Sequence, residues 1–531
     1  MIDLCVLTEI KKIDLPRLSQ HIGSLVRQRF GISEWRVWSS DLTEKELQTA
    51  CGLNVSDSWP TVISPEKSLI KVLESVTQEY AFFLRGSDVL APRSLPRIQR
   101  ELMVGGDVDL LYGDETYLSN DGVSVLPLFR PGWGPLLESN MGVIGDCPVV
   151  KVETIRNHGV SNGHFLWGDF ALRTVDSDLR LIHVPSILVN RSQETRQRST
   201  QTIFNEQSFP TISVIVPTIG TLLTQDKDSR TLVERCINLM YSHADKPENI
   251  EIVVVFDQGT PPEALLAIEE LNLQNLIMLQ HDRKGEGFNF STMVNTAALA
   301  ASGEVLVMLN DDVEITLQGW DLLLARTALI SEVGAVGVTL LFPDRSIQHA
   351  GVTTQYDHGG LTIHTCYGLP VDHSDRLDVL GISRESHAVT GALLAVGREA
   401  FLSVGGLSTE FPSDYNDTAL CWKLQSLSLS TVMMPQVFGI HRESSTRSIQ
   451  FSYNVASRLQ DLWGSSARQD PWRNPNIAHE DLMAKPDWTV WERSYPTREV
   501  NALLPYPQDK AEKWVHFRGQ LLQPRMRRLL G

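Results

Sequence analysis

The sequence lacks closely spaced cysteines. Its six cysteines, in a chain of 531 residues, are scattered, and no two of them form a CxxC pair. Disulfide frameworks and structural zinc sites both need thiols at short, regular spacing, so the sequence favours neither. This usage is typical of a protein in a reducing compartment.

Long apolar runs and an excess of positive charge are also missing. No stretch approaches the roughly 18 apolar residues of a membrane-spanning helix, and the beginning, MIDLCVLTEIKKIDLPRL, is charged where a signal peptide is apolar. The formal net charge is -17, which makes a nucleic-acid partner unexpected because phosphates require a positive surface. The sequence therefore predicts a cytoplasmic protein that touches membranes only at their surface.

The apolar runs that are present predict parallel β-strands and more than one domain. A chain of this length, with 42% hydrophobic residues, is too long for one ordinary core. From Thr211, TISVIVPT, IEIVVVFDQG and GEVLVMLNDDVEI read as three short buried strands, with helical spacing between them. Ligands of open α/β sheets bind where such strands end, so we expect Pro217, Thr218 and Asp257 to share one crevice.

The first 200 residues repeat this pattern of strands and helices with weaker similarity. IDLCVLTE, EWRVWSSD and EYAFFLRGSDVL stand where the three later strands stand. We therefore predict an internal duplication with a polar linker between the halves. The predicted units are residues 1–195, a linker at 196–208, a second domain at 209–450 and a C-terminal extension at 451–531.

The loop after the third strand of the second half is a candidate cation site. Asn310, Asp311 and Asp312 follow a buried strand at the edge where ligands bind. Mg²⁺ and Mn²⁺ prefer oxygen ligands and keep positions open for phosphate oxygens. Asp312 is the expected direct ligand, although an acidic turn is more often only a solvated loop.

Two further segments carry candidate catalytic groups. Asp417 lies in SDYNDTALCWKL, where acids open a helical pattern; helix capping explains them equally well, and Asp414 is a rival for the same role. A carboxylate at such a place can act as a general base. His441 follows the apolar run TVMMPQVF and would complete the cation or diphosphate site, whereas a lone histidine is more often structural.

Together these segments resemble the family 2 glycosyltransferases. The resemblance covers most of residues 209–478 and includes SVIVPT, VVVFDQGT, GFNFSTMVN, GEVLVMLNDDVEI, EVGAVGVTLLFPDRSIQHAGV, AVTGALLAVGREAF, YNDTALCWKL, FGIHRES and LQDLWGSSARQDPWRNPN. It is strongest for tandem bacterial proteins that make rhamnan, O-antigen and other cell-surface polysaccharides.

The resemblance implies an α/β protein with two tandem GT-A domains, each a Rossmann-like, mixed, mostly parallel sheet, followed by a C-terminal helical tail. It also implies an inverting transfer from a UDP- or dTDP-sugar to a glycan or lipid-linked acceptor, with Mg²⁺ or Mn²⁺ as cofactor. By this resemblance Asp417 is the catalytic base, and Asp312 and His441 hold the metal. The implied nucleotide-sugar-binding residues are Pro217, Thr218, Asp257, Asn289, Asn295, Asn310, Asp311 and Gly391, the last of which floors the acceptor cleft.

The chain departs from the family pattern in both halves. In the second half, Asn310 replaces the first acid of the DxD motif, and Ala419 stands where relatives often carry an acid. In the first half, residues 85–87 (Arg, Gly, Ser) occupy the DxD positions, Trp167 the base position and Asn190 the histidine position. Arginine and glycine do not hold a cation, and tryptophan accepts no proton, so we expect the first domain to be degenerate and inactive.

The last residues, KWVHFRGQLLQPRMRRLLG, form a basic and amphipathic tail in an acidic protein. Such a tail binds anionic lipid surfaces or packs on protein, and the sequence leaves both readings open. Two alternatives to a transferase are a catalytically silent glycan- or partner-binding protein and a sugar-phosphate nucleotidyltransferase. A nucleotidyltransferase is expected to have a glycine-rich, arginine-containing loop after the first strand. This sequence has VPTIGTLLTQD there instead.

Overall fold

A computed structural model provides the structure of most of the chain. It describes residues 2–28, 31–52, 61–118, 125–159, 166–173, 179–192, 209–223, 230–283, 287–355, 361–371, 379–442, 453–464, 467 and 470–477. The predicted linker at 196–208 and the basic tail at 513–531 lie outside these residues, as does most of the C-terminal extension.

The first half consists of a mixed sheet with helices around it. Its strands are β1 (Leu4–Glu9), β2 (Glu34–Trp38), β3 (Thr61–Ile63), β4 (Tyr80–Arg85), β5 (Val89–Leu90), β6 (Leu110–Leu118), β7 (Val125–Leu128), β8 (Val149–Lys151) and β9 (Leu181–Arg191). Its helices are α1 (Leu18–Arg27), α2 (Glu44–Ala50), α3 (Leu69–Glu74), α4 (Ser94–Gly105), α5 (Pro135–Met141), α6 (Val152–His158) and α7 (Leu166–Arg173), and a 3-10 helix covers Lys12–Arg17.

The second half has the same kind of architecture with additional strands. Its strands are β10 (Ile212–Thr218), β11 (Ile250–Asp257), β12 (Leu276–His281), β13 (Val305–Leu309), β14 (Val313–Ile315), β15 (Val333–Leu341), β16 (Ile347–His349), β17 (Val352–Gln355), β18 (Leu361–His364), β19 (Arg384–Glu385), β20 (Leu393–Gly397) and β21 (Ser430–His441). Its helices are α8 (Leu232–Ser242), α9 (Pro262–Glu269), α10 (Phe290–Ala300), α11 (Trp320–Ala328), α12 (Arg398–Ser403) and α13 (Asn416–Gln425), and α14 (Tyr453–Trp463) follows in the extension. Short 3-10 helices cover Pro247–Asn249 and Val379–Gly381.

The two large sheets have the same strand order. The first runs β3-β2-β1-β4-β8-β6-β9-β5, with β7 on β6, and the second runs β12-β11-β10-β13-β20-β15-β21-β14, with β16 on β15. In both, four strands are parallel at one end, and an antiparallel strand, β8 or β20, joins them to the rest. The predicted fold class, two tandem α/β domains with mixed and mostly parallel sheets, is confirmed.

The apolar runs form central strands because both faces of each sheet are covered. Along β10, Val214 and Val216 belong to the core on one face, whereas Ile215 belongs to the core on the other. Side chains alternate between the faces of a strand, so a strand covered on both sides is apolar at every position. All seven residues of β10 are accordingly buried.

A buried glutamate of the second half joins the two halves. Glu385, on β19, accepts hydrogen bonds from the backbone N–H groups of Leu136 (2.8 Å) and Leu137 (3.0 Å), at the start of α5 in the first half. These amides have no partner within their own helix, so the carboxylate supplies the acceptors they lack. Burial raises the pKa of Glu385 above its ordinary value. Asn140, later on α5, donates to the carbonyl of Ser383 (2.9 Å) and extends the same contact.

The extension also binds both halves. Asn474 and Asn476 are buried and donate to the two carboxylate oxygens of Asp114 in the first half, at 2.7 and 3.2 Å. Asp470 accepts from the hydroxyl of Thr353 in the second half, at 2.6 Å. Residues 470–477 therefore cross from one half to the other.

Replacing Glu385 by alanine is expected to destabilise the protein. Two amides of α5 lose their acceptor, and a buried polar group left unpaired costs about 1–3 kcal/mol. Denaturant unfolding should show a loss of at least about 2 kcal/mol. Gly134→Ala should act in the same direction, because an added Cβ would lie 2.4 Å from Cδ of Glu385. Glu399→Ala, on an exposed site, is the control; equal effects of Glu385→Ala and Glu399→Ala would contradict this reading.

Among the described residues, no helix is both long and apolar enough to cross a membrane. All six cysteines are buried, and no disulfide joins them.

Candidate active site

The ends of the parallel strands of the second half meet the loop of residues 310–312. The hydroxyl of Thr218, at the end of β10, donates to the carboxylate of Asp311 (2.6 Å) and accepts from the backbone N–H of Gly220 (2.9 Å). Pro217 precedes Thr218 and pairs with Val255 on β11. The first strand and the acidic loop are thus at one edge of the sheet, as ligand-binding loops of such sheets are.

Asp257, at the end of β11, is held by an arginine that the sequence did not single out. Its carboxylate is 2% exposed and receives hydrogen bonds from Nε of Arg283 (2.9 Å) and from a second guanidinium nitrogen. A bidentate pair of this kind fixes the orientation of both groups. Arg283 is about one third exposed, so its guanidinium is accessible to solvent at the end of β11.

Asp312 lies directly against His441. Nε2 of His441 is 3.2 Å from the carboxylate of Asp312, and both side chains are almost fully buried. The pairing of Val313 with His441 between β14 and β21 brings them together, and the backbone N–H of Arg442 donates to the carbonyl of Asp312 (3.1 Å). The two predicted metal ligands are therefore adjacent in space, although 129 positions separate them in the sequence.

The surroundings of this pair are negative. Burial raises the pKa of the nearby Cys236 thiol well above its ordinary value, and the carboxylates of Asp311, Asp312 and Glu314 raise it further. Glu314 is balanced by Arg235 (2.9 Å) and by Arg442. The charge that remains on the acidic loop favours a bound cation.

The donor set fits a divalent cation that takes its other ligands from a substrate. Among the described residues, no group of three His, Cys, Asp or Glu side chains is arranged to hold a metal ion. Asp312 and His441 offer one carboxylate and one imidazole, and Nδ1 of His441 is buried without a hydrogen-bond partner in that part of the chain. Mg²⁺ and Mn²⁺ commonly use one or two protein ligands together with phosphate oxygens and water. The residues present therefore fit such an ion.

Asp417 begins α13 and is tied to the loop before β20. Its Oδ2 accepts from the backbone N–H of Gly391 (2.8 Å), and its Oδ1 accepts from the N–H of Thr418 (2.7 Å). A Cβ added at Gly391 would lie 3.4 Å from Cβ of Asp417, which is an ordinary van der Waals contact. Tyr415, just before the helix, has a φ of 62°, a left-handed conformation that is strained for a bulky residue. Asp417 is thus an acidic residue of the first turn and not the N-cap of α13, and its carboxylate is held by two backbone N–H groups.

Asp417 and the acidic loop meet through two adjacent residues. Gly391 donates to Asp417, and the carbonyl of the next residue, Ala392, accepts from the backbone N–H of Asn310 (2.9 Å). Asp312 lies two positions further along that loop. The predicted base and the predicted cation ligand are thus at the same edge of the sheet.

Asn289 and Asn295, predicted to bind the nucleotide sugar, also make hydrogen bonds within the fold. Asn289 caps α10 by accepting from the N–H of Thr292 (2.9 Å). Asn295 binds both backbone groups of Leu407, accepting from its N–H (2.9 Å) and donating to its carbonyl (2.8 Å). Both ends of the Asn295 amide are therefore engaged by Leu407, and a role of either asparagine in nucleotide-sugar binding stays a prediction.

Asp414 and Ala419 differ clearly in environment. Asp414, the rival base, is exposed. Ala419 is fully buried and packs with Phe411 and Trp422, so an acid at this position would have to enter an apolar cluster.

The first half has lost the corresponding groups. Leu90 pairs with Val189 in the first sheet as Ile315 pairs with Gly439 in the second. Ser87 lies three residues before Leu90, as Asp312 lies three residues before Ile315. This agrees with the placement of residues 85–87 at the DxD positions. Trp167 lies on α7, the helix that precedes β9, as Asp417 lies on α13, the helix that precedes β21.

The histidine position of the first half requires a correction. The same strand pairing places Arg191, not Asn190, at the position of His441. Arg191 is buried, and its guanidinium lies 3.5 Å from Asp88, 3.7 Å from Glu115 and 2.8 Å from Asp146. A fixed positive side chain therefore occupies the place where the second half offers ligands for a cation.

Replacing Arg191 by alanine is expected to cost about 3–5 kcal/mol of stability, because it leaves buried carboxylates without their counter-charge. Arg458→Ala is the control, since that side chain is about half exposed and its pair with Glu410 should contribute no more than about 1 kcal/mol. Denaturant unfolding of both variants measures the difference. Equal losses would show that the Arg191 cluster does not support the first half.

Comparison with known proteins gives distant relatives. No family model matches the chain. It is 27% identical over 442 residues to the O-antigen biosynthesis protein RfbC of Myxococcus xanthus, a match that covers 75% of this chain and 33% of that protein. It is 24% identical over 473 residues to the uncharacterized protein y4gI of Sinorhizobium fredii, covering 79% of this chain and 51% of that one. The chain thus spans only about a third to a half of the length of these relatives.

Among solved structures, the chain is similar to the mannosyltransferase PcManGT from Pyrobaculum calidifontis in complex with GDP-Man and Mn²⁺. That match has a TM-score of 0.34 and 19% identity, and covers 50% of this chain and 66% of that one. The similarity to a bacterial O-antigen protein is the resemblance that the motifs of the second half predict.

Proposed function

We propose that this protein is an inverting glycosyltransferase. It moves a sugar from a nucleoside-diphosphate donor, UDP- or dTDP-linked, to a glycan or lipid-linked saccharide acceptor during synthesis of a cell-surface polysaccharide. The second half, residues 209–450, carries the reaction. The similarity to an O-antigen biosynthesis protein supports this choice of product class.

One observation carries the proposal. Asp417 and the loop of residues 310–312 are linked through Gly391 and Ala392 at the edge where the parallel strands end. Transfer of a glycosyl group needs a base for the acceptor hydroxyl close to the site where the diphosphate leaves. A buried Asp312–His441 pair and a directed Asp417 at one edge meet that requirement.

Asp417 acts as the general base in this proposal. Its carboxylate takes the proton of the acceptor hydroxyl while the hydroxyl oxygen forms a bond to the anomeric carbon. The bond from that carbon to the diphosphate oxygen breaks on the opposite face, and the electron pair leaves with the nucleoside diphosphate. A single displacement of this kind inverts the configuration. The backbone N–H groups of Gly391 and Thr418 hold the carboxylate in place during the transfer.

Asp312 and His441 would hold Mg²⁺ or Mn²⁺, which, when bound, would neutralise charge on the departing diphosphate. Asn310 and Asp311 line the same loop, and Asp311 is oriented by Thr218. Pro217, Thr218 and the Asp257–Arg283 pair lie at the strand ends where the nucleotide is expected. Arg283 adds a cation that an anionic donor would favour.

We propose that the first half, residues 1–195, serves assembly or acceptor binding and does not catalyse transfer. Arg191 fills the cation position, and Trp167 packs on Phe83 with ring centroids 4.2 Å apart. Its contacts through Glu385 and residues 470–477 fit a supporting role for the second half. The presence of Arg191 at the cation position and Trp167 at the base position favours the alternative of a catalytically silent binding protein. It does so for the first half only.

A thermal-shift screen of nucleotide sugars tests the proposal. A ligand present at 100 times its dissociation constant stabilises the folded state by about 2.7 kcal/mol, so a bound donor should raise the unfolding temperature. We expect the increase to need Mn²⁺ or Mg²⁺ and to disappear in Asp312→Asn. If no UDP- or dTDP-sugar raises the unfolding temperature with either ion, the proposed donor class is wrong.

A further inference from the structure

A second histidine of the second half, His349, lies next to the candidate active site and is not used by the proposed reaction. It is the last residue of β16, pairs with Leu340 on β15, and is completely buried. The motif SIQHAGV, which contains it, resembles the family without suggesting a role for this side chain. Its contacts therefore have to be read from the structure.

The hydrogen bonds of His349 determine which ring nitrogen carries the proton. Nε2 lies 3.3 Å from the backbone nitrogen of Gly351 and 3.3 Å from that of Thr390. Backbone N–H groups only donate, so Nε2 must accept and the proton of the neutral ring is on Nδ1. Burial lowers the pKa of His349 well below its ordinary value, and the neighbouring His364, Arg384 and His441 lower it further. The ring is therefore a neutral acceptor.

This acceptor holds the residue that precedes Gly391. Thr390 donates its N–H to His349, and Gly391 donates its N–H to Asp417 (2.8 Å). Two successive peptide groups are thus fixed, one by the histidine and one by the catalytic carboxylate. A shift of the Thr390 peptide would change where the Gly391 N–H points, and with it the orientation of Asp417.

A comparison of the two halves associates His349 with the site. Leu128 pairs with Glu115 on β6 as His349 pairs with Leu340 on β15, so leucine stands at the histidine position in the first half. In that half the base position is Trp167 and the cation position is filled by Arg191. Gly145 stands at the position of Gly391, since each lies six residues before the residue that pairs with the first residue of β4 or β13, Lys151 or Gly397. The position of His349 holds leucine.

The buried His349 also lowers the stability of the folded protein. Nδ1 of His349 is buried and has no hydrogen-bond partner in the described parts of the chain. An unpaired buried donor costs about 1–3 kcal/mol, and an apolar residue such as the leucine of the first half avoids that cost. The bonds made by Nε2 are the local reason for a histidine at this position.

We infer that His349 is a positioning residue for the transfer reaction: its Nε2 fixes the Thr390–Gly391 peptides that orient the carboxylate of Asp417. The inference rests on the proposed function. It concerns the orientation of the base and not the binding of the donor. Loss of the acceptor should therefore lower kcat and leave the KM for the donor unchanged.

Two substitutions of similar size separate this role from simple packing. In His349→Gln, the side-chain oxygen can reach the place of Nε2, whereas in His349→Asn the shorter amide reaches only the place of Nδ1. We expect His349→Gln to keep kcat within a few-fold of the original protein and His349→Asn to lower it by about tenfold to hundredfold, the size of a misplaced catalytic group. The buried His21→Gln of the first half is the control, because it tests loss of a buried histidine far from the site.

The readouts are kcat, the KM for donor and for acceptor, and the unfolding temperature of each full-length variant. A lower kcat in His349→Asn at unchanged donor KM, with recovery in His349→Gln, supports the inference. Equal kcat in the two variants overturns it while leaving the proposed function intact. Absence of any transfer by the original protein overturns the proposed function itself.

Nitrogen NMR of the histidine rings gives an answer even if His349→Asn does not fold. In the original protein, the resonances absent from His349→Gln belong to His349. We expect Nδ1 to carry the proton and Nε2 to carry none, because Nε2 accepts from two backbone N–H groups. A proton on Nε2 would contradict the inference, because that nitrogen could not accept from Thr390.

Discussion

Asp417→Asn in the full-length protein is expected to lower kcat for sugar transfer by about 10²–10⁴-fold, the usual contribution of a positioned general base. Asparagine has the same shape, and its one oxygen can still accept from the N–H of Gly391, so that contact should persist, whereas the bond from the N–H of Thr418 is lost. It does not accept a proton from the acceptor hydroxyl. The KM for the donor should therefore stay the same while the chemical step slows.

Asp414→Asn is the matched control for this substitution. Asp414 lies three residues earlier and is exposed, and nothing among its described contacts directs it toward Gly391. We expect it to keep kcat within about a few-fold, as surface changes away from a site usually do. If Asp414→Asn lost activity while Asp417→Asn kept it, the base would have been assigned to the wrong carboxylate.

Asp312→Asn is expected to have the second large effect, on donor use. The substitution removes the carboxylate that lies against His441, and with it the charge that attracts a divalent ion. Stabilisation of the departing diphosphate by such an ion amounts to several kcal/mol, so kcat/KM should fall by more than about hundredfold. Activity measured against the concentration of Mn²⁺ should also require more ion than in the original protein.

Asp311→Asn serves as the control. An asparagine oxygen at this position can still accept from Thr218, and the carboxylate of Asp312 remains. Its effect on kcat/KM should be the smaller of the two. The alanine variant, Asp312→Ala, tests the first half at the same time. Residual transfer well above background in that variant would mean that the first half is active in spite of Arg191 at the cation position.

Much of the fold could be predicted because it depends on local patterns. Short, fully apolar runs such as those of β10, β11 and β13 are long enough to form strands of a sheet that is covered on both faces. They are too short to form a buried helix. The prediction that Thr218 and Asp257, at the ends of β10 and β11, lie at one edge follows from the rule that ligands bind at strand ends. The strand order of the first half then follows from its similarity to the second.

Contacts between distant segments could not be predicted in this way. Arg283 reaches Asp257 from the loop after β12, and His349 reaches Thr390 across a pair of strands. Neither pair has a characteristic spacing. A buried glutamate such as Glu385 carries no sequence signal either, because its acceptor role depends on α5, which lies about 250 positions earlier.

The placement of Asn190 was wrong by one residue for a related reason. In both halves, the strand that ends at the site, β9 or β21, has irregular pairing with its neighbour, β6 or β15, and residues are skipped there. The apolar pattern does not indicate how many residues are skipped. Only the pairing of Leu90 with Val189 identifies Arg191 as the residue at the cation position.

The most direct measurement is the release of nucleoside diphosphate from a panel of UDP-, dTDP- and GDP-sugars by the full-length protein, with and without a glycan acceptor and with and without divalent ion. If Asp312 and Asp417 act in one site, release should need Mn²⁺ or Mg²⁺, increase with the acceptor, and be lost in both Asp312→Asn and Asp417→Asn. Release that persists in either variant, or that ignores removal of the ion by a chelator, would contradict the account.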